Sequence, residues 1–173
     1  LDNSAAMLEQ AALRCPAAQL LLCDLAAFAQ VETFDLITCF LYSIHYSHPT
    51  TALQTTLQRA WQALKPGGVF IFNAVDARGV RNDSGITTYC NDSDAQLSFQ
   101  SGWSYCGTGE VLDLSLAISR ETATGIEKWR DQHTMTRLRC RICAVCWRTA
   151  ALRSACWNMT TRCCVTGPVR VSM

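Results

Sequence analysis

The stretch "LQRAWQALKPGGVFIFNAVD" (57–76) sets the reading of this chain. It continues an amphipathic segment, "TALQTTLQRAWQAL" (51–64), with Leu53, Leu57, Ala60, Trp61 and Leu64 on one helical face. The pattern stops at Lys65-Pro66-Gly67-Gly68. Pro66 cannot continue a helix, and Gly67 or Gly68 can take the left-handed cap. "GGVFIFN" (67–73) follows as a continuous apolar run, the mark of a strand covered on both faces. A helix, a glycine hinge and a buried strand in that order predict a parallel α/β unit.

Two further apolar runs lie upstream, "AQLLLC" (18–23) and "FDLITCF" (34–40). Ahead of them Ser4 is placed to cap a helix carrying Met7, Leu8, Ala11 and Ala12, which Pro16 ends. Helices alternating with continuous apolar strands predict a parallel sheet. From about residue 85 the period changes to two. "AQLSFQSGWSY", "GEVLDLSLAISRE" and "IEKWRDQHTMT" read as a three-stranded antiparallel meander with one wet face. The tail shows no sustained period. Three regions are therefore expected: a partial α/β core at 1–84, an antiparallel extension at 85–136 and an irregular tail at 137–173.

Composition is ordinary for a globular protein: 173 residues, 49% hydrophobic, 17% charged, formal net charge +1. The average hides a division. Residues 1–136 carry eight basic against fourteen acidic residues, whereas 137–173 carry seven Arg and no acid. Six of the eleven cysteines also lie in that tail; the other five are spaced as buried thiols in a reducing compartment are. No apolar run approaches a membrane span, and "LDNSAAML" has no secretory n-region. The expectation is a cytoplasmic protein with neither nucleic acid nor membrane as partner.

The order of these pieces resembles the class I S-adenosylmethionine-dependent methyltransferases. Four segments carry the likeness: "LDNSAAMLEQA", "CDLAAF" (23–28), "FDLITCFLYSIHY" and "LKPGGVFIF". The meander ending in "WRDQHTMT" is similar to that of small-molecule N-methyltransferases, whose extra strands roof the active site. The fold implied is a Rossmann-like methyltransferase sheet lacking its first strand, with an antiparallel β meander after the fifth. The activity implied is methyl transfer from S-adenosyl-L-methionine to a small nucleophile, an amine by preference.

Cofactors of open parallel sheets bind beyond the carboxyl ends of the strands. The resemblance assigns Asp2, with Asn3 beside it, to the cofactor's ribose hydroxyls; an acid there is equally suited to a helix N-terminus. It assigns Asp24 to the adenine amino group and the Leu25 N–H to a ring nitrogen, where loop capping by Asp24 is the alternative. It sets Cys39 and Phe40 against the methionine part. Tyr42 and Tyr46 line the substrate side or simply pack. His45 is a catalytic candidate or a packing residue. On a strand, Trp129, Asp131, His133 and Met135 share one face. His133 there either takes a proton from the attacking amine or sits outward on the sheet. No metal ligands are assigned.

The resemblance also predicts a strand and a glycine-rich loop ahead of residue 1, and a different continuation after about residue 137. A central strand buries three or four large side chains, about 5–10 kcal/mol at ~1.5–3 each, against a usual stability of about 5–15 kcal/mol. A chain without it is expected to be impaired and to expose sheet edges suited to self-association. The acid-free tail reads as a shifted reading frame. Three other readings stand beside the main one. They are a non-catalytic partner-binding fragment, a methyltransferase-like body whose Cys140, Cys143, Cys146 and Cys156 hold a metal, and another α/β nucleotide enzyme such as a dehydrogenase.

Overall fold

The structure, a computed structural model, describes residues 1–82, 85–92, 94–138 and the backbone of 144–147. Helix α1 runs Ala5–Arg14, with the Ser4 hydroxyl accepting from the Met7 N–H as its cap. The strand β1 (Phe34–Cys39) passes through helix α2 (Thr50–Ala63) to strand β2 (Leu64–Phe72), which lies parallel to β1. A short strand β7 (Ala144–Trp147) lies antiparallel on the far side of β2, giving the order β1-β2-β7. This strand falls inside the tail expected to be irregular. So does Leu138, whose side chain is buried in the main core.

The glycine hinge works in two parts. Gly67 takes the left-handed conformation at φ +85°. Gly68 is the point of close approach, since a Cβ there would lie 3.0 Å from the Lys65 carbonyl oxygen and 3.1 Å from that of Phe34. The pairing register jumps across this bulge, from Phe34 opposite Leu64 to Leu36 opposite Val69. α2 then buries Leu53 and Ala60 against Phe70 and Phe72, with Cys39, Ile44 and Leu64 completing the cluster.

The run 18–23 departs from expectation. Only Leu22 pairs, in a single parallel bridge to Asp2, and Leu20, Leu21 and Leu22 are all exposed. The physical reason is the absence of cover: among the described residues, no strand joins this pair to the open edge of β1, where Phe34 and Leu36 are also exposed.

The antiparallel sheet has four strands rather than three: β3 (Gly85–Asp92), β4 (Ala95–Ser104), β5 (Val111–Thr122) and β6 (Gly125–Thr136), in that order. The added strand, "GITTYCND", is exposed along its whole length. It lacks the apolar alternation by which the others are recognised. A second small core of Ala77, Leu112 and Met135 joins the near end of this sheet to the loop after β2.

Burial separates the two helices in energetic terms. Leu53→Ala should cost about 2–5 kcal/mol, because Leu53 is fully buried. Leu13→Ala on α1, where Leu13 is 77% exposed, should stay within about 0.5 kcal/mol. Urea denaturation of the two variants checks the pair.

Candidate functional site

Asp2 and Asp24 come to neighbouring ends of two paired segments. The Asp2 N–H donates to the Leu21 carbonyl (3.1 Å), and the Cys23 N–H donates to the Asp2 carbonyl (2.9 Å), so Asp24 is the next residue beyond the bond. Each carboxylate spends one oxygen locally. Asp2 Oδ1 accepts from the Ser4 N–H (2.8 Å), and Asp24 Oδ1 accepts from the Ala26 N–H (2.7 Å), capping a 3-10 turn at Leu25–Ala27. The loop-capping alternative is thus realised at Asp24, while Asp2 holds the N–H of Ser4, the residue that caps α1. The second oxygens, Oδ2, make no hydrogen bond among the described residues, and neither does the Leu25 N–H. Asn3 is exposed beside Asp2. Leu25 packs against the cluster that contains Cys39, which brings this corner next to the end of β1.

Cys39 ends β1 as a buried thiol whose pKa is pushed up to about 11 by desolvation, so it stays protonated and unreactive. The chain then turns sharply. Leu41 and Tyr42 hold positive φ of 53° and 61°, a conformation costly for non-glycine residues. The Tyr42 N–H is anchored by Asn73 Oδ1 at 3.0 Å, from just beyond β2. Phe40, Leu41 and Tyr42 are left open to solvent.

His45 follows on a 3-10 turn, Ser43–Tyr46. Its side chain is fully buried, and both ring nitrogens are occupied. Nδ1 lies 2.8 Å from the Thr136 carbonyl, and Nε2 accepts from the Val75 N–H at 2.9 Å. A carbonyl only accepts and an N–H only donates, so the ring is the neutral Nδ1–H tautomer. Burial, opposed by the Thr136 bond, pushes its pKa down. An imidazole with no spare nitrogen has no proton to exchange with a substrate. The geometry therefore makes His45 a positioning residue, in place of the catalytic part considered from sequence.

His133 is differently placed. In the antiparallel register, Trp103, Leu114 and His133 form one row across β4, β5 and β6. Tyr46 stacks edge-on against His133 at 5.4 Å, and Tyr42 edge-on against Trp103 at 5.7 Å. His133 Nε2 is buried without a hydrogen bond. Asp131 Oδ2 lies 3.3 Å from it, close enough to pair once the ring is charged but not aligned as a hydrogen bond. Burial, reinforced by the Asp131 charge, raises the Tyr46 pKa and keeps its phenol a donor.

Trp103 went unrecognised in the sequence. Its indole touches both Tyr42 and His45 and lines a cavity of about 680 Å³ with Val75, Arg81, Ile86 and Ser101. Its alternation in "SFQSGWSY" was visible; the register that sets it opposite His133 was not. Among the described residues, no group of His, Cys, Asp and Glu is arranged to hold a metal. Cys140, Cys143 and Cys156 lie outside the described residues, as does the side chain of Cys146.

A family model described as "Methyltransferase domain" matches residues 1–68. No curated protein sequence matches the chain. Among solved structures, the chain is similar to an amino pentose methyltransferase from Micromonospora echinaspora involved in calicheamicin biosynthesis, solved with SAM bound. The TM-score is 0.73 and the identity 18%, over 84% of this chain and 71% of that one. It is also similar to a sugar N-methyltransferase from a Streptoalloteichus species (TM-score 0.67, 19% identity, 78% of this chain and 54% of that one). A third likeness is to DesVI from Streptomyces venezuelae (TM-score 0.67, 19% identity, 77% and 56%). The chain thus spans little more than half the length of the latter two. The fold it shares with them is the Rossmann-like methyltransferase fold.

The neutral His45 ring makes stability depend on pH with a definite sign. Its folded pKa lies below the ordinary value of 6.5, so the unfolded chain takes up the proton first. The contribution is complete above about pH 6.5 and is lost as pH falls below it. The urea midpoint should therefore drop between about pH 7.5 and 5.5, and His45→Gln, though less stable throughout, should show a flatter dependence over that interval.

Proposed function

From residues 1–68 that match a methyltransferase domain, and a chain that carries the methyltransferase fold, we propose a class I S-adenosylmethionine-dependent methyltransferase acting on an amine of a small molecule, an amino sugar by preference. The observation that carries this reading is the pair of carboxylates, Asp2 and Asp24, brought to adjacent ends of bonded segments with Oδ2 of each uncommitted. That arrangement suits a nucleoside: Asp2, with Asn3, for the ribose hydroxyls, and Asp24 with the Leu25 N–H for the adenine edge. Cys39 and Phe40 border the methionine part. When bound, the cofactor supplies a methyl group on a sulfonium, already a strong electrophile.

The chain's own residues then have three tasks. Asp2, Asp24 and Leu25 hold the donor. Tyr42, Tyr46 and Trp103 wall the acceptor side with aromatic faces and edges, which suit a cationic or weakly hydrated amine. His133 receives the proton that the amine sheds on methylation, and Asp131, 3.3 Å away, stabilises the imidazolium so formed. Positioning supplies most of the acceleration, because donor and acceptor need only alignment.

We place the protein in the cytoplasm: the five cysteines among the described residues are all unpaired, and no helix there is long and apolar enough to cross a membrane. The exposed Leu20–Leu22 run and the open edge of β1 favour weakened cofactor binding. The same exposure supports a second reading, a non-catalytic role in which the β1 edge pairs with another chain.

Calorimetry with S-adenosylhomocysteine tests the proposal. Asp2→Ala and Asp24→Ala should each weaken binding about 10-fold or more, as loss of a charge-assisted hydrogen bond does. Unchanged affinity in both would overturn it. His133→Gln should lower methyl transfer to an amine about 100-fold while leaving S-adenosylhomocysteine binding intact.

A further inference from the structure

Asn73 is the first residue beyond β2. Phe72 pairs with Cys39 where the two parallel strands end. Phe40 and Asn73 are the next residues, beyond the carboxyl ends at which open parallel sheets bind their ligands. Asn73 is half-buried. The Tyr42 N–H can only donate, so the carboxamide oxygen is the atom that meets it, at 3.0 Å. That bond holds a strained turn. Leu41 and Tyr42 are consecutive residues at positive φ, 53° and 61°, and neither is glycine. A side chain carries a steric cost in this conformation, which persists only where the surroundings impose it. Packing does not impose it at Leu41, which is 84% exposed. The turn closes on itself where the Ser43 N–H donates to the Phe40 carbonyl at 3.1 Å. For Leu41 and Tyr42, the Asn73 bond is the one hydrogen bond to another segment among the described residues.

We propose that Asn73 is a positioning residue for the methyl acceptor. By holding the left-handed turn, it sets the Tyr42 ring edge-on against Trp103, 5.7 Å away. This role rests on the reading of Tyr42 and Trp103 as walls of the acceptor site. The loop after β1 has a second tie to the same stretch. The Val75 N–H, two residues beyond Asn73, donates to His45 Nε2 at 2.9 Å. His45 is bonded on its other side to the Thr136 carbonyl, so that end of the loop stays fixed when Asn73 is changed. Removing the Asn73 oxygen therefore frees the Tyr42 end and leaves the rest in place. Leu41 and Tyr42 then relax toward negative φ, and the Tyr42 side chain, which leaves from the same backbone, swings off Trp103. The donor side is spared, because the Asp2 and Asp24 carboxylates are held by the Ser4 and Ala26 N–H groups.

Nuclear magnetic resonance on the full chain tests the anchor without turnover. In Asn73→Leu, similar in size but without the acceptor oxygen, the Tyr42 amide should exchange about 10-fold faster or more. The Overhauser contacts between the Tyr42 and Trp103 rings should vanish with it. Asn73→Asp keeps an acceptor oxygen and should keep both signals. Asn73→Ala should behave as Asn73→Leu does, and serves if the latter fails to fold. S-adenosylhomocysteine affinity should stay within about threefold in every variant. KM for glucosamine as methyl acceptor should rise about 10-fold or more in Asn73→Leu and return in Asn73→Asp. Unchanged Tyr42 exchange and ring contacts in Asn73→Leu overturn the proposal. So does Asn73→Asp as impaired as Asn73→Leu, since the carboxamide nitrogen would then be the acting group. A wild type that transfers no methyl group to glucosamine counts against the amino-sugar reading instead, and the exchange and ring contacts still decide the anchor.

Discussion

The structure depends on one buried imidazole. His45 sits on the turn after β1, donates from Nδ1 to the Thr136 carbonyl at the end of β6, and accepts at Nε2 from the Val75 N–H in the loop after β2. Three segments far apart in sequence are thereby fixed to one ring. Around it the polar groups close on each other. The Thr136 hydroxyl donates to the Ser47 carbonyl at 2.8 Å, His48 Nδ1 lies 3.1 Å from that hydroxyl, and the Ser47 and Thr56 hydroxyls bond at 2.8 Å. A second tie runs outside. Glu110, from the loop between β4 and β5, accepts from the Thr50 N–H at the start of α2, and the Arg137 N–H donates to the Glu110 carbonyl. Buried polar networks are costly when incomplete and rigid when satisfied. This one holds the antiparallel sheet against the α/β unit, and so holds His133 and Trp103 beside the loop that follows β1.

That dependence explains what sequence reading recovered. α2, the glycine hinge and β2 follow from local chemistry: an apolar stripe, a proline, two glycines and an apolar run. Local signals survive without knowledge of the rest. The run 18–23 shows the limit. Its composition is that of a buried strand, but burial depends on neighbours, and Leu20–Leu22 have too few. β3 shows the opposite case, a segment with little apolar alternation that is a strand because β4 offers it an edge along eight residue pairs.

The site was legible to a similar degree. The carboxylates at 2 and 24 were named by the family resemblance, not by period or spacing; the structure pairs Asp2 with Leu22, two residues before Asp24. His133, Asp131 and Trp129 could be placed on one face from the two-residue period alone. Which residues stand across from them depends on register, and register depends on turns of two to six residues whose geometry the sequence does not display. Trp103 was therefore invisible as a site residue. His45 was visible but ambiguous. Its type suits catalysis and packing equally, and only the finding that both nitrogens are occupied separates the two.

The same period of two has a larger consequence. One face of the antiparallel sheet has to serve two ends. At its near end, Leu112 and Met135 dock on the body and His133 meets Tyr46; further out, the Phe99–Ile118–Trp129 row stands clear of it. A strand of twelve residues cannot change which face its alternate side chains occupy without a bulge, and the pairing of β5 with β6 is unbroken from Val111–Thr136 to Thr122–Gly125. The row between the two ends, Ser101–Leu116–Asp131, sets a polar side chain on each flanking strand, so the near end that docks and the exposed far row are separate patches on one face.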